Sequence, residues 1–242
     1  MEECNAVQTP MEFGLIVSKA EEERSIDETN YRRKIGCLRY LLHMRPDLAF
    51  SVGLLSRYMH NPKTSHGVAL KQVLRYLRGT TKLGLVYKRA NTIEIKGYSD
   101  SSHNIDDDDG RSTTCHIFYL NDCLITWCSQ KQETVALSSC EAEFMAATEA
   151  AKQAIWLQEF LEEITEKPSR KVVIRMDNKS AIALTKNSVF HGRSHFAAVC
   201  PDRLLKLQET TENKEGEETQ EAEGLMMHEI SNPTLMETRY GI

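Results

Sequence analysis

Two apolar segments that each end in a carboxylate flank a long small-residue helix that begins with one, and this order restricts the fold more than any other feature. Ile93-Glu-Ile-Lys-Gly-Tyr-Ser-Asp100 reads as a strand ending in Asp100. Lys171-Val-Val-Ile-Arg-Met-Asp177 reads the same way, and a short helix over 178–187 follows it. Between them a strand-like run ends at Leu137, and Ser138 and Ser139 offer side-chain oxygens to free helix N–H groups. Glu141 and Glu143 fall in the first turns, where the helix dipole favours negative charge. The helix runs from about Ser139 to Ile164, with Ala147, Ala150, Ala154, Leu157, Leu161 and Ile164 as its buried stripe and Trp156 and Phe160 widening it. Gathered at one sheet edge, acids in the order Asp, Glu, Asp repel one another unless a divalent cation neutralises them.

The surrounding pattern supplies the rest of a sheet. Leu85-Val-Tyr87 reads as a strand before the Ala90-Asn91 turn, and 112–120 and 124–128 as strands after Asp100, joined by Asn121-Asp122. Three strands in succession predict an antiparallel meander, and a strand reached by crossing back over a helix predicts a parallel neighbour. The run Asp106 to Asp109 reads as a solvated loop rather than a metal site, because adjacent side chains diverge.

Upstream the period is helical. Ile35, Leu38, Leu41 and Leu42 share one face; Pro46 opens a second helix with Leu48, Val52, Leu55 and Met59; a third runs from near Ser65 to Gly79. The net charge of −5 over 242 residues conceals a block, 31–90, with 13 Lys/Arg and one acid. Such a block is the footprint of a polyanion partner, and Lys71, Arg75 and Arg78, spaced along one helix face, are the candidate nucleic-acid contacts. The expected organisation is an irregular lead-in over 1–30, a basic helical segment over 31–89, an α/β domain over 90–205 and an acidic, disordered tail over 206–242, where 208–223 hold seven Glu and one Lys. No apolar run reaches membrane-spanning length, and the seven cysteines show no C-x-x-C pair. An intracellular protein with reduced thiols is expected, cytoplasmic or nuclear, with no zinc site and no membrane partner.

Several motifs carry a family resemblance. Gly97-Tyr-Ser-Asp-Ser101, Arg111-Ser-Thr113, Ile125-Thr-Trp-Cys-Ser-Gln-Lys-Gln132, Val135-Ala-Leu-Ser-Ser139, Glu141-Ala-Glu-Phe144, Ala154-Ile-Trp156 and Asp177-Asn-Lys-Ser-Ala-Ile182 resemble the C-terminal part of Ty1/copia-type retrotransposon Pol polyproteins. Upstream, Thr9-Pro-Met-Glu12, Tyr31, Ile35-Gly36, Tyr40-Leu41, Arg45-Pro-Asp47, His66 and Leu74-Arg-Tyr-Leu-Arg-Gly-Thr80 resemble the stretch joining reverse transcriptase to RNase H. The resemblance covers roughly 8–194. It implies an RNase H-like mixed sheet (three antiparallel strands, helix, parallel strand, helix) behind a mostly helical connection segment. It also implies hydrolysis of RNA in RNA–DNA hybrids, with Asp100, Glu143 and Asp177 holding Mg²⁺ or Mn²⁺. Glu143 rather than Glu141 fits because Glu143-Phe-Met-Ala-Ala147 resembles the run in this fold's first helix; Glu141 is then a capping or solvated residue.

The chain departs from the family in three ways. Past Ser194 it reads His-Phe-Ala-Ala-Val-Cys-Pro-Asp202, where family members carry a fourth carboxylate and a last strand and helix; Asp202 sits in an unrelated context. Ser102-His103 stands where the family has Asp-Trp, and no Tyr-x-Asp-Asp motif occurs, so no polymerase activity is expected. The lost terminal element leaves a sheet edge uncovered. Against the active reading stands a catalytically inactive Pol remnant that binds nucleic acid. An integrase-type nuclease is disfavoured, because that class has the order Asp, Asp, Glu.

Overall fold

The computed structural model describes residues 4–90, 92–186 and 206–209, which divide into two compact units. The first comprises 4–86 together with 105–110. Its helices are α1 (Glu28–Leu41), α2 (Ala49–Ser56), entered through a 3₁₀ turn at Pro46–Leu48, and α3 (Thr64–Gly79). Asp27 caps α1 by accepting from Asn30 N at 3.2 Å. Tyr31, Ile35 and Leu38 of α1 meet Leu48, Val52 and Leu55, and Ala69, Leu70 and Val73 of α3, in one core.

Two polar locks hold this unit and account for motif residues. The guanidinium of Arg45 donates to both carboxylate oxygens of Asp47 at 2.9 and 2.6 Å and to Thr80 Oγ1 at 2.7 Å, and lies over the Tyr76 ring. This buried network ties the 3₁₀ turn to the end of α3. His66 replaces an acid in the capping box of α3: its Nδ1 accepts from Lys63 N at 2.9 Å, its Nε2 lies 2.8 Å from Ser18 O, and its ring stacks on Tyr58. Burial holds His66 below the usual histidine pKa.

The second unit carries a five-stranded sheet in the order β3-β2-β1-β4-β5: β1 (Ile95–Ser102), β2 (Thr113–Leu120), β3 (Cys123–Lys131), β4 (Val173–Met176) and β5 (Lys206–Glu209). β1 to β3 form the predicted antiparallel meander, and β4 lies parallel to β1. α4 (Ser139–Thr165) covers one face, and α5 (Lys179–Lys186) follows β4. α4 presents Ala150, Ala151, Ala154 and Leu157 to Ile95, Phe118, Val172 and Ile174. Residues this small let helix and sheet approach closely. The same closeness explains Gly97, because a Cβ there lies 2.4 Å from Cε1 of fully buried Phe118.

The mixed α/β architecture is as expected, with local differences. Residues 83–90 form no strand: both sides of β1 are taken, by β2 and β4, and Tyr87 is exposed. Val135–Leu137 is a loop, with Leu137 exposed, rather than a strand end. Trp156 and Phe160 do not widen the buried stripe of α4; they stack on each other at 5.2 Å on its outer side, and Ile164 is exposed too. At about 100° per residue, Trp156 points away from the face that Ala154 and Leu157 bury. In the aspartate loop, Asp106 is buried rather than solvated and pairs with Arg57 at 3.0 Å inside the first unit. Lys206–Glu209, expected to open the tail, pairs in parallel with β4 and covers the edge expected to stand bare. The remaining tail, 210–242, and Asp202 lie outside the described residues. The six described cysteines are free thiols, and among the described residues no helix is long and apolar enough to cross a membrane.

Candidate metal centre

The parallel pairing of β1 and β4 sets the first two acids side by side. Tyr98 is partnered with Arg175, and two residues further along stand Asp100, near the end of β1, and Asp177, just past the end of β4. The third acid comes from α4. Ser138 caps that helix, its Oγ accepting from Glu141 N at 3.1 Å, and the Glu141 carboxylate turns back to accept from Leu137 N at 2.8 Å. Glu141 is therefore the capping residue, and Glu143, in the next turn, points inward and is buried. The result is a cluster in which one carboxylate oxygen from each of Asp100, Glu143 and Asp177 lies within 4.8 Å of the others.

One backbone group serves two of these acids. Ser101 N donates to Asp100 Oδ1 at 2.8 Å and to Glu143 Oε1 at 3.0 Å, while Glu143 Oε2 is buried with no hydrogen-bond partner. Burial, and then the neighbouring Asp177 charge, pushes Asp100 up to about 7. Burial, and then Asp100 and Asp177, pushes Glu143 up to about 9. Both shifts express one physical fact: the carboxyls of Asp100 and Glu143, poorly solvated and close to each other and to the exposed Asp177, resist carrying negative charge together. An orphaned buried oxygen beside two further acceptors is a donor set suited to a hard divalent cation.

The proposed nucleic-acid contacts lie on α3 of the first unit. Lys71 is exposed, Arg75 Nε donates to Asn5 O at 2.7 Å, and Arg78 donates to Cys4 O. The last two residues of that row thus also hold the N-terminal segment.

Two contributors to the centre escape sequence reasoning. The Ser101 amide has no sequence signal, since every residue but proline carries one. Gln132 is buried and donates to Thr114 Oγ1 and Ala142 O, both at 3.0 Å, tying β2 to the start of α4 beside Glu143. Its signal was its place at the end of a quoted motif.

No family model matches the chain. Among curated proteins, the Pol polyprotein from transposon TNT 1-94 of Nicotiana tabacum is 39% identical over 201 residues, 80% of this chain and 15% of that protein. The Pol polyprotein from transposon RE1 of Arabidopsis thaliana is 38% identical over 80% of this chain and 13% of its own length. The chain thus spans about one seventh of these relatives. Secreted RxLR effector protein 161 of Plasmopara viticola is 46% identical over 128 residues, 52% of this chain and 90% of that protein. Among solved structures, an RNase H1 isolated from compost aligns over 58% of this chain and 98% of its own, at 16% identity and a TM-score of 0.36.

Proposed function

The chain belongs to the copia-type retrotransposon Pol family, and on that premise we propose that its second unit is a ribonuclease H acting on the RNA strand of RNA–DNA hybrids. The observation that carries this reading is the meeting of Asp100, Glu143 and Asp177 around a buried, unpartnered Glu143 oxygen. These three side chains would hold Mg²⁺ or Mn²⁺. Bound there, the cations supply activation of the attacking water and stabilisation of the leaving 3′ oxygen.

The chain's own residues do the positioning. The Ser101 amide holds Asp100 and Glu143 with their oxygens turned to one point. The Ser138 cap and the Glu141 return bond fix the start of α4, which sets the depth of Glu143. The β1–β4 register fixes Asp177. Lys71, Arg75 and Arg78 contact backbone phosphates, both guanidiniums keeping their charge while one N–H of each holds a carbonyl. Selection of RNA over DNA rests on contacts to the 2′-hydroxyl.

Cleavage of a labelled RNA–DNA hybrid, with Mg²⁺ and then Mn²⁺, tests this with wild type beside Asp100→Asn. Metal-dependent cleavage that falls by several orders of magnitude in the variant is expected, because carboxylates acting as a unit are not additive. Absence of cleavage in either metal, from protein shown folded by circular dichroism, overturns it in favour of an inactive Pol remnant. Hybrid binding by that remnant is then read by fluorescence anisotropy.

A further inference from the structure

Single exposed apolar residues are ordinary, but two stripes on this chain are not single. On α4, Trp156, Phe160 and Ile164 recur every fourth residue and are 54%, 47% and 63% exposed. The two rings stack nearly parallel, at 7°, which builds a flat ridge without covering it. The exposed neighbours along the stripe include the acids Glu159 and Glu163, while Lys152, one turn before Trp156, is paired with Glu149. On α1 and the turn after it, Tyr40 and Met44 are 79% and 66% exposed, beside Leu41. Their exposed neighbours include Arg33 and Lys34, two helical turns before Tyr40 and Leu41 respectively, and 29–46 contain no acid at all. Between them Gly36 has open space where a Cβ would stand, so no side chain covers the helix there. One stripe is thus apolar beside Glu159 and Glu163, the other apolar beside Arg33 and Lys34 with Gly36 leaving the helix uncovered between. Exposed apolar surface rimmed by charge marks association sites, and opposite rims select register and partner.

We propose that these stripes are the two halves of a head-to-tail contact between copies of this chain, the Trp156–Phe160 ridge of one copy seating on the Tyr40–Met44 face of the next. The occupant is a second copy because the chain itself carries both complementary surfaces. The stripes differ, so the contact is heterologous: each copy keeps one unused half and assembly continues with concentration. This contact does not depend on the proposed hydrolysis, and neither stripe includes the carboxylates.

Sedimentation velocity on the full chain over a rising concentration series tests it. Mass should grow with concentration and shrink with added salt. The α4 variant Trp156→Ala/Phe160→Ala and the α1 variant Tyr40→Ala/Met44→Ala should each weaken association by roughly thirtyfold, as loss of an aromatic anchor does. Mixed one to one, these variants should form a dimer and stop there, because a mixture retains one intact pair of halves. The swaps Glu163→Lys and Arg33→Glu should each weaken association alone and restore it when combined in one mixture. A wild type that stays monomeric throughout overturns the proposal. So does a folded α1 variant that still dimerises by itself, which would mean that ridge meets ridge, and so does a mixture of folded variants that remains monomeric.

Discussion

At the scale of single residues, the centre is a place where stability is traded for charge. Asp100 and Glu143, raised to about 7 and about 9, bind more protons folded than unfolded across the range between their ordinary values and these. Unfolding free energy therefore falls as pH rises through that window when no cation is present. Below about pH 6.5 an opposite trend enters, because burial pushes His116 down to about 4 and its neutral folded form loses stability as pH falls. From about pH 6.5 to 8 the carboxylates set the slope, before the thiols of Cys115, Cys128 and Cys140, also raised by burial, add to the same downward trend. In EDTA, wild type should lose melting temperature across that interval, and Glu143→Gln should melt higher with a flatter profile while losing hybrid cleavage. Each kcal/mol relieved corresponds to about 2–4 °C in a chain of this size. A Glu143→Gln melting point at or below wild type at pH 8 would show that the cluster does not strain the fold. Lys71 makes a separate residue-scale prediction: Lys71→Ala should reduce the salt slope of hybrid binding by about one.

At the scale of elements, the seam between α4 and the sheet is built from small residues, Ala150, Ala151 and Ala154, packed against Ile95, Phe118, Val172 and Ile174. Gly97→Ala places a methyl against Phe118, which is enclosed by β1 and the alanines of α4, and should cost about 1–3 kcal/mol in urea denaturation. Adding Phe118→Leu should recover part of that loss; failure to do so would place the strain in the backbone instead. The seam also shows what a sequence reveals. The alternation and terminal acids of β1 and β4, the small-residue period of α4 and the Ser138 cap were all readable, and they suffice to bring Asp100, Glu143 and Asp177 together. Leu85–Tyr87 misled because strand propensity carries no information about whether a sheet edge is free. Trp156 and Phe160 misled because aromatic residues beside a buried stripe look like its margin. The shared Ser101 amide could not be read at all, since backbone donors are the same everywhere.

At the scale of the whole molecule, chain order and unit membership diverge. Ile105–Gly110, inserted between β1 and β2, belongs to the first unit, and its Asp106, with a side chain 1% exposed, faces the Arg57 guanidinium. Asp106→Ala leaves that guanidinium without its carboxylate and should cost about 3–5 kcal/mol, seen as a lower denaturation midpoint. An unchanged midpoint would mean that solvent reaches the pair. The three acids are likewise far apart along the chain, and Tyr98 meets Arg175 across 77 positions. Contacts of that separation form late, because the loop between them must close before any of its bonds form. The consequence is one of time. While the chain is being synthesised, β1 and α4 emerge with two carboxylates, and the third arrives only when β4 has docked. Until then the acidic cluster lacks one of its three members, so it is complete only in a chain that has finished folding.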